Sequence, residues 1–367
     1  MRIQLKKIKD QVIVITGASS GIGLCTAQRA AAKGACVVLA SRNEADLKRI
    51  TQQIKETGGR ATYVVADVAV LEDVERIGDA AIDEFGRIDT WVNNAGVSIY
   101  GRLTEVKMSD KRRLFDVNFW GTVNGCKVAV PHLKATGGAI INIGSVLSER
   151  VIPLQGIYCA SKHAVKAYTD GLRMELEAAG FPIAVTLVKP AAIDTPYPEH
   201  AKNYMEGQPT HTPPVYHPEV VARAILNSAV HRQRSIFAGG SGVLFSFMEK
   251  FMPRTTDLMM ERNMMESGQS RDSMAYGEDI LVNPGKNEGK IRGRYEGHVM
   301  RSSLYTKVAS DPKNFAVLLG AVAVVGTLWL TRRSWMDGVI EGYNDLRQNR
   351  LENVIDFDRN RKTQEVA

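Results

Sequence analysis

Cysteine is scarce in this 367-residue chain: Cys25, Cys36, Cys126 and Cys159 are scattered, with no Cys-x-x-Cys pair among them. That spacing excludes a disulfide framework or a thiolate metal site as the organising feature, and the four read as reduced thiols of a cytosolic protein. The seven histidines show no ligand spacing either, so no metal is expected. No secretory leader is expected, because residues 1–9 are charged and lead straight into an apolar strand. Lys and Arg outnumber Asp and Glu by 47 to 40, yet no basic patch interleaved with aromatics appears outside the linker at 286–313. Nucleic acid is therefore not an expected partner, and the excess charge fits a solvated or membrane-proximal surface.

What is present is an alternating pattern. With 44% hydrophobic residues the chain can bury a large core, and it is too long for one compact dinucleotide-binding domain and too short for two. Short apolar, β-branched runs at 12–15, 37–40, 61–65, 90–92, 139–143, 183–188 and 235–238 read as buried strands. Helical stretches fall between them, including 24–33, 73–85 and 158–179. That order implies an α/β fold with a doubly wound parallel sheet of the Rossmann type, followed by a C-terminal helical extension. Ligands of such sheets bind beyond the carboxyl ends of the strands, where Gly17, Asp67, Asn94, Ser145 and Pro190 fall.

Two motifs carry chemistry. Thr16-Gly17-Ala18-Ser19-Ser20-Gly21-Ile22-Gly23 joins the first strand to the first helix. Gly17 permits the tight turn, and Gly21 and Gly23 let a pyrophosphate approach the helix N-terminus. Tyr158 and Lys162 stand at i, i+4, which places both on one helix face. A tyrosine is a poor base at its ordinary pKa of about 10, so it needs a neighbouring cation to favour the phenolate. Cys159 points elsewhere on that helix and reads as packing, and His163 as surface or substrate wall.

With these motifs the sequence resembles the short-chain dehydrogenase/reductases, in their compact single-domain branch. The resemblance covers roughly residues 8–240 and includes Asp67-Val68, Asn93-Asn94-Ala95-Gly96, Asn118 in Val117-Asn118-Phe119-Trp120-Gly121, and Ser145 thirteen residues before Tyr158. Pro190-Ala191-Ala192-Ile193-Asp194-Thr195 stands where that family has Pro-Gly-x-x-x-Thr, with alanine in place of glycine. The resemblance implies a catalytic set of Asn118, Ser145, Tyr158 and Lys162. Tyr158 would exchange a proton with the substrate oxygen, which Ser145 orients. Lys162 would favour the phenolate and hold the nicotinamide ribose, and Asn118 would position a water linking Lys162 to solvent. Cofactor contacts are implied for Gly17, Ser19, Ser20, Gly21, Ile22 and Gly23; for Ser41, Arg42, Asp67 and Val68; for Asn94, Ala95 and Gly96; and for Tyr158, Lys162, Pro190, Ile193 and Thr195.

Ser41 occupies the position where an acidic residue would meet a ribose 2′-hydroxyl, and Arg42 follows it. A guanidinium there suits a 2′-phosphate, so NADP(H) is expected over NAD(H). The expected reaction is hydride transfer to a small-molecule carbonyl, or from the matching alcohol, with a hydrophobic or sugar substrate. The alternative is a non-catalytic NADP(H)-binding sensor or scaffold, and a homo-oligomer is expected in either case.

The remaining segments depart from the family. Residues 191–218 hold six prolines and read as a mobile substrate loop. Leu244, Phe247, Met248 and Phe251 recur at helical spacing, which fits core packing, a substrate entrance, a dimer contact or a membrane contact. The segment 241–312 reads as an irregular and helical extension, polar from 271 onward. Within 313–333, residues 315–330 form an uncharged run of about 24 Å as a helix, a candidate membrane anchor beside Trp329 and Trp335. The alternative for this run is a buried helix packed on a partner subunit. The window 286–313 carries seven Lys/Arg against three Asp/Glu, which would keep the catalytic domain cytoplasmic. Residues 334–367 read as a polar tail.

Overall fold

Alternating apolar side chains on the first strand already divide the core. In the computed structural model, which describes residues 3–267, 269–270, 279–285, 289–310 and 327, β1 (Val12–Thr16) sends Ile13 and Ile15 to one face of a sheet and Val12 and Val14 to the other. β2 (Cys36–Ser41), β3 (Arg60–Val65), β4 (Thr90–Asn93), β5 (Gly138–Ile143), β6 (Ile183–Pro190) and β7 (Ser235–Ala238) complete it. All pair in parallel, in the order β3-β2-β1-β4-β5-β6-β7. The seven strands expected from β-branched runs are the seven found, each within two residues at either end.

Helices cover both faces. α1 (Gly21–Ala32) and α2 (Glu44–Glu56) pack on the Ile13 side, joined later in the chain by α7 (Pro218–Ser228). α3 (Leu71–Phe85), α5 (Gly121–Leu133) and α6 (Gly156–Ala178) pack on the Val12 side, with α4 (Met108–Phe115) leading into α5. Between α4 and α5 a π-helical turn, Asp116–Trp120, inserts an extra residue into the helical path.

A buried polar ladder ties β4 and β5 to α6. Asn93 Nδ2 donates to Asn142 Oδ1 at 2.9 Å, and Asn142 Nδ2 donates to Thr169 Oγ1 at 2.9 Å. Trp91 Nε1 donates to Asn93 Oδ1 at 2.8 Å. Satisfied networks of this kind fix register, because any slip would strand polar groups in the core.

Residues up to Ser310 belong to one compact unit. α8 (Ser241–Phe251), α9 (Pro253–Ser267) and α10 (Leu304–Ser310) form the helical extension. The helical spacing of Leu244, Phe247 and Phe251 is realised in α8, but these side chains are 59%, 57% and 61% exposed rather than in the core. The proline-containing stretch 191–218 is more structured than a bare loop. Ala192–Ile193 pairs in parallel with Val215–Tyr216, which pairs in turn with Val299–Met300. That ribbon carries the backbone past Ala191, which fits without a positive φ. The four cysteines are buried and unpaired. The candidate anchor 315–330 lies outside the described residues apart from Thr327, as does the tail 334–367. Among the described residues no helix is long and apolar enough to cross a membrane.

Candidate active site

The turn after β1 is built by close backbone approach. Gly17 has φ 65°, and a Cβ there would lie 2.8 Å from Ala95 Cα. A Cβ on Gly23 would lie 2.1 Å from the Gly17 carbonyl oxygen, so α1 can sit on the turn only with glycine at that position. Asn94 Nδ2 donates to the carbonyls of Thr16 (2.9 Å) and Gly17 (3.1 Å). In return Thr16 Oγ1 accepts the backbone N–H groups of Asn94 and Ala95. The ends of β1 and β4 are thereby locked together.

A cleft remains between this turn and the ends of β2 and β3. Gly17, Ser19, Ser20, Gly21, Ile22, Ser41, Arg42, Asp67, Val68, Asn94, Ala95, Gly96 and Thr195 all line it. Gly23 lies behind this wall. The first turn of α1 has no side-chain cap, and its first residues, Gly21 and Ile22, line this cleft.

A second, mostly apolar cleft adjoins it and shares Ile22, Asn94, Gly96 and Thr195 with the first. Ser145, Tyr158, Lys162, Pro190 and Ile193 line it, facing Tyr100, Val146, Ile152, Leu154, Phe245 and Met260. Leu154 holds φ 64°, an uncommon conformation for a branched residue at a cleft wall. Ser145 ends the β5 segment and caps the 3₁₀ turn Val146–Ser148, with its Oγ accepting the Leu147 N–H at 3.0 Å. Its hydroxyl also lies within reach of the Tyr158 hydroxyl. Lys162 Nζ donates to the Ile143 carbonyl at 2.8 Å and lies 5.7 Å from the Tyr158 ring centroid.

Asn118 is fully buried and lines neither cleft. Its Oδ1 accepts the Val97 N–H at 2.8 Å, and its Nδ2 donates to the Val97 carbonyl and to Ser161 Oγ. It therefore stands beneath Gly96 and joins the 96–97 backbone to α6. The π-helical turn supplies the geometry for that placement.

Burial dominates the electrostatics. It pushes the Tyr158 phenol up to about 12, against the hydrogen bonds of Tyr197 and Ser145. It pulls the Lys162 ammonium down to about 8. Tyr158 is thus a protonated phenol at neutral pH, and Lys162 is a desolvated cation close by.

Some site residues gave no sequence signal. Tyr197 opens the short helix Tyr197–His200 and meets the Tyr158 ring edge-on, with centroids 5.5 Å apart. His211 stacks on Tyr197 at 6.5 Å, and burial pulls its imidazole down to about 4. Arg113 pairs with Asp67. A lone tyrosine or histidine in a proline-containing loop has no periodicity or motif spacing to mark it.

Known proteins resemble this chain. The sequence profile of the short chain dehydrogenases matches residues 11–205. The chain belongs to the short-chain dehydrogenase family of oxidoreductases. An uncharacterized oxidoreductase of Bacillus subtilis (strain 168), YxnA, is 46% identical over 327 residues, 88% of this chain and 92% of that protein. The 11-beta-hydroxysteroid dehydrogenase A of Sesamum indicum is 32% identical over 75% of this chain and 81% of its own. Among solved structures, a short chain dehydrogenase/reductase from Burkholderia phymatum in complex with NAD has 28% identity and a TM-score of 0.61, covering 75% of this chain and all of that one. An alcohol dehydrogenase from Thermococcus sibiricus complexed with 5-hydroxy-NADP has 27% identity and a TM-score of 0.55, covering 62% of this chain and 95% of its own.

This short-chain dehydrogenase also carries a strap beyond the segment that the family profile matches. Arg42 donates to the carbonyls of Ile280 and Val282, and Asn43 Nδ2 donates to that of Gly285 at 2.8 Å. The Gly21 N–H donates to the Lys290 carbonyl at 2.8 Å, and Arg292 Nε pairs with buried Asp194 at 2.6 Å. Leu281 anchors the strap, 1% exposed in the Val12-side core. The stretch that turns polar from 271 onward is, where described, cover over the glycine-lined cleft.

Proposed function

We propose that this protein is an NADPH-dependent reductase of a neutral, largely apolar ketone or aldehyde, or the dehydrogenase of the matching alcohol. The observation that carries the reading is the meeting of Ser145, Tyr158 and Lys162 where the glycine-lined cleft opens into the apolar one. The glycine-lined cleft fits a dinucleotide. Side chains are missing where Gly17 and Gly23 bring backbone together, and α1 directs its N-terminus at the space. Gly17, Ser19, Ser20, Gly21 and Ile22 would hold the pyrophosphate side. Asp67, Val68, Asn94, Ala95 and Gly96 would flank the adenosine and its ribose, and Pro190, Ile193 and Thr195 the nicotinamide end. Ser41 and Arg42 favour a 2′-phosphate, since no carboxylate stands at the end of β2 to repel it. NAD and a modified NADP are named for the two structural neighbours, which is in keeping with either dinucleotide.

When bound, the dinucleotide supplies the hydride, and the chain supplies the proton. Tyr158 gives its phenolic proton to the carbonyl oxygen as charge develops there, and Ser145 donates a hydrogen bond to the same oxygen. Lys162 offsets the phenolate left behind and holds the ribose hydroxyls. Asn118 fixes the backbone under Lys162 and supports proton resupply from solvent. The substrate class follows from the cleft wall, where Arg150 is committed to Glu249 and Asp257. An acidic substrate would lack a free cation there among the described residues other than Lys162. A hydroxysteroid-type substrate is one candidate, given the name of the Sesamum indicum relative.

The test is NADPH consumption over neutral ketones and aldehydes of graded size. Turnover of apolar compounds above their carboxylated analogues is expected. NADPH binding with no turnover on any of them would instead favour the sensor reading.

A further inference from the structure

The Tyr158 hydroxyl has a polar neighbour besides Ser145. Tyr197 meets it ring-edge to ring, at 5.5 Å and 67°, which brings the two phenol hydroxyls within each other's reach. Behind Tyr197 lies a buried polar pair. The Tyr197 hydroxyl donates to Ser98 Oγ at 2.7 Å, and Gln155 Nε2 donates to the Tyr197 oxygen at 3.2 Å and to Ser98 Oγ at 3.4 Å. Ser98 and Gln155 are 2% and 4% exposed. A phenol has one proton and two lone pairs, so Tyr197 can donate to Ser98 or to Tyr158, but not to both at once.

We propose that Tyr197 is a positioning residue for Tyr158, whose hydroxyl turns from Ser98 toward Tyr158 as the Tyr158 proton leaves, and so stabilises the phenolate. This rests on the reading of Tyr158 as the proton donor. In the reductive direction the Tyr158 O–H bond breaks and its proton joins the carbonyl oxygen, while the hydride forms the new C–H bond. Tyr197 keeps its own proton and only redirects it. Ser98 then turns its hydroxyl to the Tyr197 oxygen, and Gln155 holds that oxygen in place throughout. Hydrogen bonds to a charged acceptor are stronger than those to a neutral one, so the arrangement favours the phenolate over the phenol.

The other titratable groups around the pair do not substitute for it. Tyr100 packs on Tyr197 at 6.4 Å and is held protonated by burial. His211 is pulled down to about 4 and is neutral, and Cys159 is pushed up to about 11 and stays a thiol. Lys162 is the one ionised group of this cluster at neutral pH, among the described residues, and sits on the side of Tyr158 that faces Ile143.

Two variants test the idea in opposite directions. Tyr197→Phe keeps the ring contacts and removes the donor. With oxidised cofactor bound, the pH midpoint of alcohol oxidation (kcat/KM) should rise by about one unit, a roughly tenfold loss at neutral pH. Ser98→Ala removes the competing acceptor, so the midpoint should fall. Unchanged midpoints in both variants, or shifts in the same direction, would overturn the proposal and leave Tyr197 as packing. The phenolate absorbance of wild type less that of Tyr158→Phe reads the same midpoint with no substrate present. A shift there without any carbonyl turnover would sink the reductase reading and keep the Tyr158–Tyr197 coupling. No shift there in an active enzyme would sink only the coupling.

Discussion

Lys162 shows at the residue scale how the site trades stability for chemistry. The residue is 5% exposed, and its ammonium donates to the Ile143 carbonyl. Burial places its folded pKa at about 8, below the ordinary 10.5. Between those values the unfolded chain holds a proton that the folded chain releases, so stability rises with pH across that window. The cost is fully present below about pH 8. Lys162→Met should therefore stabilise the fold at pH 7 by about 1–3 kcal/mol, with the gain shrinking as pH passes 8 and vanishing above 10.5. Urea unfolding at pH 7 and at pH 10 reads this directly, and the same variant should lose nearly all turnover. Arg42 is a second case, because its guanidinium serves the strap carbonyls of Ile280 and Val282 and lines the glycine-lined cleft. Arg42→Ala should raise KM for NADPH about tenfold more than KM for NADH, since only the former carries a 2′-phosphate. Equal changes would assign Arg42 to the strap alone.

At the scale of elements, α5 crosses β4 closely enough to need glycine. A Cβ on Gly125 would lie 1.9 Å from Asn93 Oδ1 and 2.8 Å from Trp91 Nε1. Gly125→Ala should push Asn93 out of its ladder with Asn142 and lower stability by about 3 kcal/mol, read as an earlier urea midpoint with reduced NADPH binding. These contacts also separate what was legible in the sequence from what was not. Strands β1 to β7 were legible because buried parallel strands write themselves as β-branched runs, and the turn at Gly17 because glycines mark close backbone approach. Tyr158 and Lys162 were legible because one helix turn joins them. Asn93, Asn142 and Thr169 meet across three elements, and no local spacing reports a contact of that kind. The contacts of Tyr197, and of residues 279–285 and 289–294, leave no local mark for the same reason. The helical spacing of Leu244, Phe247 and Phe251 gave the helix but not the direction its face would point.

Across the molecule, two apolar layers clamp one sheet, and every strand that carries a site residue ends at the same edge. The helical extension then closes this edge: Met260 reaches the apolar cleft, and Ile280 and Pro284 reach the glycine-lined one. The proposed catalysis would thus take place between a polar backbone cradle and an apolar chamber, with Tyr158 at the boundary. The most direct test of that placement is the rate of NADPH oxidation with a turned-over ketone, compared between wild type and Tyr158→Phe. Loss of one proton donor from an otherwise intact site should lower kcat by about 10²–10⁴-fold, with NADPH binding unchanged. Equal rates in the two proteins would contradict it and place the proton donor elsewhere.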